Sequence, residues 1–338
     1  MKRLLVLAAM ALAVASCSDG DAATTTEAPA TTTAATVAPA TTAAAPATTT
    51  TAPTTTQAPL AERTFTGGDG VLVDVSDASR IVALNGDITE ILFELGFGGN
   101  VVGIDVTTTY PEAALELPVV GFGQMLTPEG VLAFGPTLVI GDQQVGPPET
   151  IQQLRDAGVP VVILETQTTL EGVAVKIAQV AEIVDAVDAG LELSERVGGE
   201  IDEALLLAGS ATASPRVAYV YARGSQTIFL FGAGMPTQAM IEGAGAIDAG
   251  AGTGVFGPAP LTPEALIAAA PEVIVLPAAG FGALGGAEAL LAIPGIAETP
   301  AGQDQKFLVY DEAYFFNLGP RTGLALAEFI RDLFPDLG

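Results

Sequence analysis

From about Thr64 onward, short apolar runs alternate with segments whose apolar residues recur at helical spacing. The run Arg80-Ile-Val-Ala-Leu-Asn85 reads as a buried strand. Residues 87–95 then read as a helix, with Asp87 placed to cap it and Gly96 to stop it. Residues 101–104, 137–140 and 161–164 read as further strands, and 128–134 and 148–157 as helices. Continuously apolar strands alternating with helices predict parallel sheets covered by helices.

Residues 170–207 follow a different pattern. Val173, Ile177, Val180, Ile183, Val184, Val187 and Leu191 keep helical spacing and no Pro interrupts them. This predicts one long helix, bending near Gly198-Gly199. Beyond it the alternation resumes, with strands at 217–221, 228–231, 273–276 and 307–310 and helices at 236–242, 287–292 and 320–333. The run Leu-Thr-Pro-Glu opens residues 126–140 and again residues 261–275, an offset of 135 residues. In each copy Thr can cap a helix, Pro suits its first position, Glu suits its positive end, and a second Pro precedes a strand. Two matching αβ units predict duplicated lobes.

The N-terminal segments carry no such pattern. Lys2 and Arg3 precede an apolar run over residues 4–15, too short for a permanent membrane span and suited to an export signal. The segment after Cys17 is nearly all Ala, Thr and Pro, without one aromatic residue. It cannot bury enough apolar surface to offset its ordering entropy, so it is expected to be a disordered, extended tether and a candidate for O-glycosylation. The expected organisation is a signal peptide over 1–16, the tether over 17–63, an N-terminal α/β lobe over 64–168, a connecting helix over 169–208 and a C-terminal α/β lobe over 209–338.

Composition then removes whole classes of chemistry. The 338 residues include no His and one Cys. That excludes His-based zinc sites, Ser-His-Asp triads, Cys-His dyads and intrachain disulfides. A net charge of -27 argues against a nucleic-acid partner, which wants a basic face. Gly232-Ala-Gly234 and Gly250-Ala-Gly-Thr-Gly254 match neither a dinucleotide nor a P-loop fingerprint, and no nucleophile–base pair is visible, so the chain reads as a non-enzyme. A metal-carboxylate enzyme, or an oxygen-rich Mn or Zn binder, stays as a remoter alternative because 39 residues are acidic.

Residues 80–90, Gly103-Ile-Asp-Val-Thr-Thr-Thr-Tyr-Pro111, the two Leu-Thr-Pro-Glu units, Asp156-Ala-Gly-Val-Pro160 and Leu318-Gly-Pro-Arg-Thr322 form a set of motifs. Together they resemble the substrate-binding proteins of iron-siderophore, haem and cobalamin ABC importers. Thr-Thr-Thr-Tyr-Pro, Val145-Gly-Pro-Pro148 and Gly319-Pro-Arg-Thr322 look most like the haem-binding branch. Val14-Ala15-Ser16-Cys17 resembles the bacterial lipobox, in which the Cys is lipidated. The resemblance implies an α/β fold of the metal-chelate type, with two Rossmann-like lobes of parallel sheets joined by a single long α-helix. It implies a monomeric lipoprotein on the outer face of the cytoplasmic membrane, in the periplasm or at the cell surface. That lipoprotein would capture ferric haem between its lobes and deliver it to an ABC permease dimer with a cytoplasmic ATPase. A ferric siderophore or cobalamin is the alternative ligand.

The same resemblance assigns roles to residues. Tyr110, in the Thr-Tyr-Pro motif, stands where haem-binding relatives place an axial iron ligand. A phenolate is a hard anionic donor suited to ferric iron. Arg223 would face the cleft from the second lobe, favouring that phenolate or pairing with a propionate. Gln124 and Met125 stand where relatives line the pocket, sometimes with a His that is missing here, so five-coordinate iron is expected. Tyr314 would pack against the ligand, and Asn85 is a further ligand-binding residue. Tyr221, Tyr314 and Met125 are the next donors if Tyr110 is not the ligand. Arg321, at the start of the last helix, reads as structural. Glu129 and Glu264, one per repeat, would dock into the two permease subunits, and Cys17 is the lipidation site.

Overall fold

The computed structural model describes residues 63–224 and 227–337. The expected signal peptide, the expected lipidation site Cys17 and the expected tether up to residue 62 lie outside the described residues. The first described elements are strands β1 (Arg63–Thr66) and β2 (Leu72–Val75), an antiparallel hairpin that the sequence pattern did not announce.

The N-terminal lobe is built on β3 (Ile81–Ala83), β4 (Val101–Asp105), β5 (Val119–Gly121), β6 (Leu138–Asp142) and β7 (Val161–Leu164). They form one parallel sheet in the order β5-β4-β3-β6-β7. β3 and β7 are buried along their whole length, as continuously apolar strands must be when helices cover both faces. Helices α1 (Gly86–Glu94), α2 (Pro128–Leu132) and α3 (Pro148–Asp156) supply that cover. Asp87 does not cap α1 but sits in its first turn, and Asn85 holds the cap position without a side-chain cap bond. Gly96 ends the helix region with φ +84, a conformation that suits glycine.

The C-terminal lobe repeats the plan with one change. Its strands are β8 (Arg216–Ala222), β9 (Ile228–Phe231), β10 (Ile247–Asp248), β11 (Pro258–Pro260), β12 (Val273–Pro277) and β13 (Phe307–Tyr310). β10 and β12 pair parallel with β8 and β13 parallel with β12, whereas β9 pairs antiparallel with β8 and β11 antiparallel with β9. The expected parallel sheet is therefore mixed. The reason is local: β8 and β9 are separated by only a few residues, too few for a parallel crossover.

The connector also departs from expectation. It is two helices, α4 (Gly172–Ile183) and α5 (Val187–Ala208), not one. Asp185 takes a left-handed conformation at φ +61 in the break, and no interruption occurs at Gly198-Gly199. The two helices cross closely at Gly190, where a Cβ would fall 2.2 Å from the Ala181 Cβ. Helical spacing runs through the break because residues on both sides of it, Val184 among them, bury into the same core.

Both Leu-Thr-Pro-Glu units fold alike. Thr127 accepts from the Gly130 N–H at 3.3 Å and Thr262 from the Ala265 N–H at 3.1 Å. They cap α2 and its counterpart α7 (Pro263–Ala269), each of which opens on Pro and leads to an inner strand, β6 or β12. Among the later helices, α8 (Ala278–Leu284), α9 (Ala287–Leu291) and α10 (Pro300–Gln303) follow α6 (Pro236–Gly243) and α7. α11 (Glu312–Phe316) and α12 (Thr322–Leu333) end the lobe, and α12 packs on α5.

Candidate ligand cavity between the lobes

The carboxyl ends of parallel strands are where open α/β sheets receive ligands, because the chain parts there. Here those ends carry Leu84 and Asn85 after β3, Asp105 in β4, Asp142 in β6, and Tyr221 in β8 with Arg223 beyond it. All of them line a single cavity of about 550 Å³ between the two lobes. That volume lies in the range of small-molecule sites. Gly123 lets the wall close in, since a Cβ there would fall 2.8 Å from the Leu84 carbonyl oxygen.

The wall contributed by the second lobe is aromatic. Tyr221 stacks on Phe231 with centroids 5.4 Å apart, Phe231 packs on Phe316 at 5.8 Å, and Phe229 completes the patch. Phe122 faces it from the first lobe, 5.9 Å from the Arg223 guanidinium. Arg223 Nε donates to the Tyr221 hydroxyl oxygen, and Arg223 Nη2 donates to Glu312 Oε2 at 3.3 Å. Burial, opposed by the Arg223 bond, holds the Tyr221 hydroxyl above its ordinary pKa. Burial likewise raises Glu312, against the pull of Arg223.

The deep side of the cavity is polar and acidic. Lys176 Nζ is bonded to Asp87 and donates to the carbonyl oxygens of Asn317 at 2.9 Å and Leu318 at 3.3 Å. Asp105 accepts from the Thr107 hydroxyl at 2.6 Å, and burial pushes its carboxyl up to about 6. Asp142 accepts from the Thr166 hydroxyl at 3.0 Å and the Gln144 N–H at 2.9 Å, and burial raises it too. Asn85 Oδ1 accepts from the Asp142 N–H at 3.0 Å, tying the start of α1 to β6.

The residues singled out from sequence are distributed unevenly over this site. Asn85, Gln124 and Arg223 line the cavity, whereas Tyr110, Met125 and Tyr314 do not. Tyr110 is 39% exposed, and its ring centroid lies 4.0 Å from the Arg321 guanidinium carbon. Met125 is 75% exposed beside Gln124. Tyr314 donates to Glu328 Oε2 at 3.0 Å, and burial together with that bond pushes its hydroxyl up to about 12. Glu129 and Glu264 are exposed in the first turns of the two matching helices. Among the described residues no group of three His, Cys, Asp or Glu side chains could hold a metal ion, and no helix is long and apolar enough to cross a membrane.

Lys176, Asp105, Asp142, Glu312, Phe122, Phe229 and Phe231 were not singled out from sequence. A signal existed for some of them. Lys176 falls on the apolar stripe of its helix between Val173 and Val180, and both Asp residues end parallel strands.

Known proteins share this fold. The periplasmic heme-binding protein RhuT from Roseiflexus sp. RS-1 is 41% identical, with a TM-score of 0.75 over 78% of this chain and all of its own. The heme-binding protein HmuT is 34% identical, with a TM-score of 0.78 over 82% of this chain and 91% of its own. By sequence, a cobalamin-binding protein of Halobacterium salinarum is 28% identical over 207 residues, 59% of this chain and 54% of that protein. A vitamin B12-binding protein of Vibrio campbellii is 28% identical over 37% of this chain and 45% of its own length. The chain thus spans about half the length of these curated relatives. The pattern of the periplasmic binding protein family, a family of binding proteins and not enzymes, matches residues 81–314. With that match covering most of the folded chain, and with two α/β lobes flanking one cavity, the chain belongs to the periplasmic binding protein family.

Proposed function

We propose that the protein captures ferric haem in the interlobe cavity and hands it to an ABC permease. The observation that carries this reading is Tyr221, set in an aromatic wall with Arg223 Nε on its hydroxyl oxygen. Ferric iron favours a hard anionic oxygen. When the Fe–O bond forms, the hydroxyl proton leaves, and the guanidinium already in place stabilises the phenolate. Phe122, Phe229, Phe231 and Phe316 offer flat apolar faces for a porphyrin. The haem-binding neighbours favour the same ligand.

This reading moves the iron donor from Tyr110, the residue favoured by resemblance, to Tyr221. Tyr110 is held on Arg321 outside the lining, whereas Tyr221 already faces the cavity. Cobalamin is the second reading, favoured by the B12-binding relatives. It carries roughly twice the non-hydrogen atoms of haem, and a site must enclose most of its ligand, so a cavity of about 550 Å³ favours haem. The permease and ATPase partnership, the monomeric state, the lipid anchor at Cys17, the extracytoplasmic location and docking through Glu129 and Glu264 are parts of the same proposal.

Titration of the full chain with ferric haem tests it. One equivalent should bind with a high-spin, phenolate-ligated absorption spectrum. Tyr221→Phe should abolish that spectrum and weaken binding, while Tyr110→Phe leaves the spectrum intact. The reverse pattern would return the donor role to Tyr110. Saturable binding of cobalamin or a ferric siderophore, with none of haem, would overturn the ligand.

A further inference from the structure

The charges of the cavity are sorted by depth. Four carboxylates line it, Asp87, Asp105, Asp142 and Glu312, against two cations, Lys176 and Arg223. The Lys176 side chain is 6% exposed, and its three donor directions are already used by Asp87, Asn317 and Leu318. Asp105 is 1% exposed, so its carboxylate belongs to the deep wall as well. Asp142 is half-buried in the same lining and carries no cationic partner among the described residues. The Arg223 side chain, by contrast, is 51% exposed, and its bonds to Tyr221 and Glu312 use Nε and Nη2. Nη1 makes no hydrogen bond among the described contacts.

A ligand anion placed deep would meet uncompensated carboxylates and no available cation. In a partly dehydrated cavity each such approach is costly, because the repulsion is weakly screened and the anion also loses its water. An anion on the solvent side would keep its hydration and meet Arg223.

We infer that the cavity selects ligands whose anionic groups are confined to one edge, binds them with that edge facing solvent, and rejects chelates whose negative charge is spread over their surface. The inference rests on the haem reading, and it assigns specificity to Asp105 and Asp142, side chains that need not touch the iron. For haem, the propionate edge faces outward and the carboxyl-free edge enters the acidic pole. Burial raises Asp105 and Asp142, repulsion by Asp87 adds to it, and both shifts agree with this sorting.

A charge series on the full chain tests the inference. The probes are ferric haem, iron octaethylporphyrin with no carboxylates, cobalamin, ferric tricitrate and a ferric tris-catecholate. Octaethylporphyrin iron should bind within about threefold of haem, since no deep group recognises a propionate, and the two polyanionic chelates should bind at least about a hundredfold more weakly. In Asp105→Asn/Asp142→Asn, which keeps side-chain size, discrimination between haem and the polyanions should fall by about tenfold or more. Loss of octaethylporphyrin binding by more than about thirtyfold, or tight binding of either polyanion by the unaltered protein, would overturn the inference. If haem fails to bind but cobalamin binds and the polyanions do not, the haem reading falls and the charge sorting stands.

Discussion

The guanidinium of Arg321 lies 4.0 Å from the ring centroid of Tyr110 and 5.0 Å from that of Tyr314, while its Nε donates to Glu90 Oε1 at 2.9 Å. One side chain of the second lobe is thereby packed against a loop and a helix of the first. Thr109 adds a second link, donating to Asp311 Oδ1 at 2.8 Å. Tyr110 is therefore the ring of a cation–π contact in this structure before it is anything to a ligand.

Arg321→Met should be costly because it strands Glu90, which is 4% exposed and whose carboxyl burial already raises. Removing one partner of a buried pair leaves an uncompensated charge, and a loss of about 2–4 kcal/mol is expected. Arg321→Met with Glu90→Gln should recover a large part of it. Tyr110→Phe keeps the ring and should change stability by less than about 0.5 kcal/mol. Denaturant unfolding of the three variants checks the set, and equal losses in the single and double variants would remove Glu90 from the explanation.

Lys176→Met is expected to destabilise the protein by about 3–5 kcal/mol, since Asp87 would stay buried without its cation. Asp87→Asn in the same chain should offset much of that loss. The lysine also holds the carbonyls of Asn317 and Leu318, so the single variant should loosen the second lobe against α1 and α4. Hydrogen exchange at residues 317–323 checks this, and unchanged protection there would limit the lysine to its pair with Asp87.

Asp105 makes stability depend on pH in a definite direction. Its carboxyl is raised from 3.8 to about 6 by burial, so the folded state binds the proton more tightly than the unfolded chain. The stabilisation is complete below about pH 4 and is lost as pH rises through about 6, by up to about 3 kcal/mol. Asp142, Glu312 and Glu90 shift in the same direction. Melting temperature should therefore fall over that window, and Asp105→Asn should flatten part of the fall. An identical slope in the variant would remove Asp105 as its source.

Reversing charge at Glu129 and Glu264 together should abolish uptake while leaving haem titration unchanged. Both are exposed in first turns and neither lines the cavity. Opposing the helix dipole should cost about 0.5–1 kcal/mol at each site. Impaired haem binding by the purified variant would move these residues into ligand recognition.

The linear chain determined the α/β alternation, the equivalence of the two Leu-Thr-Pro-Glu units, and the absence of His and disulfide chemistry. Those features are local: strand burial, a Thr cap and a Pro at the first helical position act within a few residues. Arg223, Gln124 and Asn85 were named through the family resemblance, and these three line the cavity. The break between α4 and α5 was not legible, because residues on both sides of it bury into one core and spacing does not report direction. Neither was the choice between Tyr110 and Tyr221. Tyr110 follows β4 and Tyr221 lies near the end of β8, and only tertiary packing sets Tyr110 on Arg321 and places Tyr221 in the cavity lining beside Arg223. The acidic pole was hidden for the same reason. Asp87, Asp105 and Asp142 come from α1, β4 and β6, and they meet only when these elements present their ends to one space.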